Sequence, residues 1–148
     1  EEVHRLFAII RQLKAQGITG DKLVLQIPES KIFSHLKSLQ AFQKIIGSFG
    51  CRLCLEQFGT GLNSFQMLNH FEPAILKIDR SFILDLAKNT DNQKKVKEIV
   101  DQARKLNKQC IAEFVSDAGS MSFLFSTGID YVQGNFLAPP MNSMTYEF

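Results

Sequence analysis

Residues 51–82 read CRLCLEQFGTGLNSFQMLNHFEPAILKIDRSF, and this stretch decides the fold. Its first apolar run closes on two polar residues, Glu56 and Gln57. A glycine turn, Phe58-Gly59-Thr60-Gly61, leads into a short helical pattern over 62–70. A break at Pro73 precedes a second apolar run, Ile75-Leu76-Lys77-Ile78-Asp79. Strand, glycine turn, helix and strand in that order make a β/α unit, the repeat from which parallel sheets are built. Buried parallel strands read as nearly continuous apolar runs, so Glu56, Gln57 and Lys77 call for a reason. The loops after strand C-termini shape the pocket in α/β folds, which makes these residues site candidates. The plainer alternative is a solvated strand end carrying an ion pair.

Working outward, the same alternation continues on both sides. Residues 3–16 carry apolar side chains at 3, 6, 7, 9, 10 and 13, a helical stripe that Gly17 can stop. Leu23-Val24-Leu25-Gln26-Ile27 reads as a strand running into Pro28-Glu29-Ser30, and a helical pattern over 33–49 ends at Gly50. Downstream, 91–106 is amphipathic, with Val96, Ile99, Val100, Ala103 and Leu106 on one stripe. Cys110-Ile111-Ala112 is a short strand ending at Glu113, 120–126 a short helix, and Tyr131-Val132 leads into Gln133-Gly134. The tail from Met141 is polar and expected to be loosely held.

Composition excludes several function classes. A chain of 148 residues with 45% hydrophobic side chains can bury one core of ordinary size. No apolar run reaches the length of a membrane span, and Glu1-Glu2 does not open a signal peptide, so a cytoplasmic protein is expected. Cys51, Cys54 and Cys110 cannot make a disulfide framework. Cys51 and Cys54 have C-x-x-C spacing, but within a strand their side chains point to opposite faces and no second ligand pair follows. A net charge of +2 without aromatic interleaving argues against nucleic acid, and Lys94, Lys95 and Lys97 read as a solvated helix face. His4, His35 and His70 form no ligand pattern, and Gly59-Thr60-Gly61 lacks the Gly-Lys-Ser/Thr of a P-loop.

Five strands alternating with helices give a parallel α/β pattern whose strand ends carry Gln26 with Glu29, Glu56 with Gln57, Lys77 with Asp79, Glu113 and Gln133. A (β/α)₈ barrel takes about 250 residues, so a barrel here implies roughly three units beyond the N-terminus. An open five-stranded sheet fits the same periodicity.

These strand ends resemble the EAL-domain family of bacterial cyclic di-GMP phosphodiesterases and receptors. Leu25-Gln26-Ile27-Pro28-Glu29-Ser30 is similar to the family's L-E-I-T-E-S, and Leu55-Glu56-Gln57-Phe58-Gly59-Thr60-Gly61 to its L-D-D-F-G-T-G. Leu76-Lys77-Ile78-Asp79-Arg80-Ser81-Phe82 matches L-K-I-D-R-S-F throughout. Ile111-Ala112-Glu113-Phe114-Val115-Ser116 is similar to I-A-E-G-V-E, and Gln133-Gly134 matches the Q-G of the last strand. The resemblance covers about residues 20–140 and implies a (β/α)₈ TIM-type barrel, incomplete here, of about five C-terminal β/α units. Residues 1–140 are then the C-terminal part of an EAL domain and 141–148 a polar tail. The E-x-L motif that names the family would lie upstream, as would the diguanylate-cyclase-like domain of many relatives.

Active members hold two divalent cations in a carboxylate cluster, which neutralises the metals and acidifies the attacking water. Mg²⁺ prefers anionic oxygens, and this sequence departs from the pattern where they belong. Gln26 and Gln57 stand where the family has carboxylates, Glu56 lengthens the first arm of the aspartate pair, and Ser116 replaces a glutamate. By resemblance Glu29 braces the glycine loop, Lys77 holds a water or phosphate oxygen, Glu113 lies near the ligand and Gln133 completes the site. Phe114, in place of glycine, puts an aromatic ring at the mouth, where a stacked base contributes about 1–3 kcal/mol. Packing beneath the next loop is the plainer role for that ring.

The expected function is therefore a catalytically inactive receptor that binds cyclic di-GMP without a metal cofactor. Its expected ligand-binding residues are Gln26, Glu29, Glu56, Gln57, Lys77, Asp79, Glu113, Phe114, Gln133, Gly134, Asn135 and Pro139. The runs 112–118 and 133–140 are similar to the FimX-like degenerate receptors, which regulate type IV pili and twitching motility and partner a PilZ-domain protein. An interaction module that has lost its nucleotide and a weak residual phosphodiesterase are the two alternatives.

Overall fold

α1 spans Glu2–Ala15, and Gly17 follows it at φ +80°, a left-handed conformation that stops the helix. The structure, a computed structural model, describes residues 2–143. The elements continue as β1 (Val24–Pro28), α2 (Leu36–Ser48), β2 (Arg52–Phe58), α3 (Ser64–Met67) and β3 (Ile75–Ile78). α4 (Thr90–Lys105), β4 (Gln109–Ala112), α5 (Ala118–Thr127) and β5 (Tyr131–Val132) complete them. In the sheet the strands stand in chain order, β1-β2-β3-β4-β5. The chain divides into two units at Leu76, and each is built around its own buried residues.

In the first unit β1 and β2 pair in parallel, Val24 opposite Arg52 through Pro28 opposite Glu56. Leu53, Cys54 and Leu55 are consecutive and all buried, so β2 is covered on both faces, the condition that keeps polar side chains out of parallel strands. Both cysteines of the C-x-x-C spacing are buried thiols outside any disulfide, and burial pushes the Cys51 thiol up. Phe58 meets Phe65 edge to face at 5.1 Å, and Phe7 of α1 lies 5.9 Å from Phe49 after α2. Gln40 of α2 donates to the His70 carbonyl, Gln43 reaches the Glu72 backbone, and the Ala74 N–H donates to Leu53 O at 3.0 Å. These bonds set the path into β3.

Three sequence expectations need correction. β2 runs on to Phe58, so Glu56, Gln57 and Phe58 belong to the strand and the turn begins at Gly59. The helix expected over 62–70 is only Ser64–Met67, because tighter backbone bonds such as Leu68 N–H to Phe65 O close its last turn. The helix expected over 33–49 begins at Leu36, after a separate turn at Phe33–His35 where Ser34 bonds the Lys31 carbonyl and the His35 ring instead.

The second unit packs α4 and α5 beside the short strands, burying Val96, Ile99, Val100, Ala103 and Leu124. β4 and β5 pair in parallel, Ile111 opposite Tyr131 and Ala112 opposite Val132. Asn89 caps α4 by accepting from the Asn92 N–H, and Asp117 caps α5 by accepting from the Ser120 N–H and hydroxyl. Of the polar tail, Met141, Asn142 and Ser143 are exposed, and 144–148 lie outside the described residues.

Candidate functional site

The polar strand ends of the first unit centre on Glu29. It opens a turn directly after β1 and is 3% exposed, a depth at which a carboxylate needs partners. Its Oε2 accepts from the Gly59 N–H at 2.8 Å, which ties the β1 end to the glycine loop. Its Oε1 is buried without a hydrogen bond among the described residues. A Cβ at Gly61 would stand 2.5 Å from that oxygen, so a larger residue there would push the Glu29 side chain aside. Gln26 sits on β1 opposite Cys54 and is exposed; Glu56, opposite Pro28, is half-buried. Gln57 is exposed at φ +57°, left-handed for a residue with a Cβ, and its carbonyl accepts from the Thr60 hydroxyl at 3.1 Å.

In the second unit Lys77 lies on β3 among buried apolar neighbours in the chain, and its Nζ stands 3.3 Å from Glu113 Oε2. The two side chains are 9% and 23% exposed, so neither charge is screened as a surface pair would be. Asp79 follows β3, and its Oδ1 accepts from the Ser81 N–H at 2.9 Å and the Ser81 hydroxyl at 2.6 Å. That oxygen is occupied in capping the turn Arg80–Phe82.

Phe114 follows Glu113 at φ +63° and is 47% exposed, so it is not packed away beneath the following loop. A left-handed backbone costs a residue with a Cβ about 1–2 kcal/mol, and neighbours must hold it there. They do so through the backbone. Gln133 N–H donates to Ala112 O at 2.8 Å, Val115 N–H to Gln133 O at 3.1 Å, and Phe136 N–H to Val115 O at 3.3 Å. At Gly134 the two loops touch so closely that a Cβ would fall 2.2 Å from the Val115 carbonyl oxygen.

These laced loops wall a cavity of about 330 Å³. One wall is Glu113, Phe114, Val115 and Ser116, the other Gln133, Gly134 and Asn135, with Leu84 and Pro140 at the ends. Glu113, Phe114, Gln133, Gly134 and Asn135 are thus brought together, with Lys77 joined to them through Glu113. Pro139 lines a neighbouring hollow, shared with Gln133, Gly134 and Asn135. Sequence reasoning missed Leu84, Val115 and Pro140 as wall residues, since an apolar side chain or a Pro-Pro pair carries no chemical signature. Ser116 had been read only as a lost metal ligand, and it too lines the cavity. Among the described residues no three His, Cys, Asp or Glu side chains converge to hold a metal ion. No helix among them is long and apolar enough to cross a membrane.

Residues 3–140 match the EAL domain model. Among curated proteins, the probable cyclic di-GMP phosphodiesterase PdeA of Escherichia coli is 31% identical over 132 residues, 89% of this chain but 18% of PdeA. Among solved structures, the Xanthomonas citri FimX EAL domain in complex with c-diGMP is 49% identical, with a TM-score of 0.90 over 95% of this chain and 55% of that one. The Pseudomonas aeruginosa FimX EAL domain bound to c-di-GMP is 32% identical with a TM-score of 0.90, over 98% of this chain and 60% of that one. The chain therefore spans just over half of those domains and about a fifth of the curated relative. Its parallel five-strand sheet with flanking helices is an incomplete form of their barrel, and the chain belongs to the EAL domain family, with strong structural similarity to the FimX EAL domains.

Proposed function

We propose that this chain is part of a receptor that binds cyclic di-GMP and does not hydrolyse it. The observation that carries the reading is the cavity walled by Glu113, Phe114 and Gln133–Asn135 and backed by the Lys77–Glu113 pair. Its volume, about 330 Å³, is at the lower end for small-molecule sites and suits one guanine-bearing half of the ligand. In this reading Phe114 offers a stacking face, Glu113 accepts from the guanine N–H edge, Gln133 and Asn135 fix orientation, and Lys77 supplies positive charge to a phosphate. In the second unit Asp79, Gly134 and Pro139 serve as shaping or contacting residues; in the first, Gln26, Glu29, Glu56 and Gln57 are proposed to take those roles. The FimX EAL domains that resemble this chain carry the same nucleotide.

The residues present do not fit a two-metal centre. Two cations call for a set of anionic oxygens. Gln26 and Gln57 supply neutral amides, Ser116 a hydroxyl, and one oxygen of the Glu29 carboxylate is taken by the Gly59 N–H. Binding is accordingly assigned to hydrogen bonding, stacking and the lysine alone. Residues 1–140 form the C-terminal part of the EAL domain and 141–148 a polar tail. Further from the site, we place the parent protein in the cytoplasm, with a diguanylate-cyclase-like domain upstream and a PilZ-domain partner. Its output is type IV pilus assembly and twitching motility.

Calorimetric titration of cyclic di-GMP into the intact protein, first in EDTA and then in Mg²⁺, tests the reading. Micromolar or tighter binding in EDTA, unchanged by Mg²⁺ and with the nucleotide recovered intact, is expected. Binding that needs Mg²⁺, or recovery of a linear product, would sink it in favour of a residual phosphodiesterase. Absence of binding in both buffers would leave an interaction module.

A further inference from the structure

Arg80 has no part in the ligand surface described above, yet its guanidinium carbon lies over the Phe114 ring, 5.6 Å from the centroid. The ring lines the cavity, and Arg80 is not one of the residues that wall it. The turn that follows β3 fixes this arrangement. The Arg80 carbonyl accepts from the Ile83 and Leu84 N–H groups at 2.9 Å, so one turn sets both the guanidinium against the ring and Leu84 in the cavity wall. The neighbouring Asp79 Oδ1 accepts from the Ser81 N–H and hydroxyl.

We infer that Arg80 is a positioning residue for nucleotide binding, acting through Phe114; the inference rests on the receptor reading above. A half-exposed phenylalanine can turn about χ1 and χ2, and a base that stacks on it must first immobilise it. A planar cation on one face holds the ring before the ligand arrives, and the attraction strengthens when a base covers the other face and excludes water. The cation also draws electron density toward its own side of the ring. That leaves the opposite face a better partner for an electron-rich purine. Arg80 thus preorganises the stack without touching the ligand.

Two readouts on the full chain test this. In the ligand-free protein, NMR should place the Arg80 side-chain protons upfield of their positions in F114L, because they sit in the ring's shielding cone. Calorimetry with cyclic di-GMP should then show R80Q weakening binding about three- to thirtyfold, with R80K intermediate. In an F114L background the same R80Q change should cost less than about twofold, since the ring it acts through is gone. R80Q with wild-type affinity, or an equal loss in both backgrounds, would overturn the inference; the latter would mean direct contact with the ligand. A missing upfield shift with intact nucleotide binding overturns it alone. A normal shift in a protein that takes up no cyclic di-GMP overturns the receptor reading together with this extension of it.

Discussion

The two units of this chain treat their strand ends in opposite ways. In the first, the charged residue with most at stake is Glu29, and it is turned inward to hold the Gly59 N–H. The other polar ends there, Gln26 and Gln57, are exposed amides. The α2 and α3 N-termini carry no side-chain cap hydrogen bond. In the second unit Asp79, Asn89 and Asp117 each cap the turn or helix that follows them. There Lys77 meets Glu113, and two loops are laced across a cavity. The contrast teaches where rigidity has been built. Ordered polar groups in a low-dielectric wall are costly to place and effective once placed. The second unit has that construction around a hollow, and the first has it around a loop.

The largest test of this contrast is one substitution made twice. At Gly134 an added Cβ meets backbone, the Val115 carbonyl at 2.2 Å, which cannot move without opening the laced loops. Gly134→Ala should cost about 3 kcal/mol in denaturant unfolding and abolish measurable cyclic di-GMP binding. At Gly61 the Cβ meets the tip of the Glu29 side chain, which can swing aside. Gly61→Ala should cost nearer 1 kcal/mol. Equal penalties at both positions would erase the distinction.

Next in size is Lys77→Met, which keeps the volume on β3 and removes the charge beside Glu113. Titration should show affinity for cyclic di-GMP falling about 10- to 100-fold, the range for a charge-assisted hydrogen bond. Unchanged affinity would remove the second unit's claim to the phosphate.

Smaller and more diagnostic is Phe114→Gly. It relieves the left-handed strain at φ +63°, so thermal or denaturant unfolding should show stability unchanged or raised by about 1 kcal/mol while binding weakens. Gln57→Gly relieves the same kind of strain at φ +57° and should weaken binding less than Phe114→Gly does. A loss of affinity as large as that of Phe114→Gly would move the site's weight to the first unit.

The smallest effect is in pH. Hydrogen bonds from Ser120, backbone first and then hydroxyl, hold the Asp117 carboxyl below the usual carboxylate range. Its folded pKa is therefore depressed. Its contribution to stability is fully present above the unfolded value of about 3.9 and is lost as pH falls through the folded value. A melting-temperature series across that acid window should show Asp117→Asn flattening a shallow slope. An unaltered slope would mean the α5 cap is electrostatically silent.

Much of this was legible in order along the chain. Apolar runs near 25, 54 and 77 with glycine turns between them announce β/α units, because period and turn chemistry are local properties. Polar residues at the ends of such runs announce the mouth of a site, and the motif matches through Lys77 and Gln133-Gly134 attach those ends to a family. Lengths were less legible. β2 reaches Phe58, into the expected glycine turn, and its partner β1 continues to Pro28 opposite Glu56.

What the sequence determined by itself is thus the alternation of elements and the residue types at strand ends, both set by neighbours within a few positions. Only the tertiary structure decided what those residues do there. Glu29 has one oxygen on Gly59 and the other against Gly61, thirty or so residues away. Phe114 is held left-handed by backbone that arrives from Gln133 and Phe136, and Arg80 reaches its ring from the preceding strand's turn. These are meetings of loops from different strands. No periodicity records them, because they depend on how the strands are paired and not on the order in which the residues are joined.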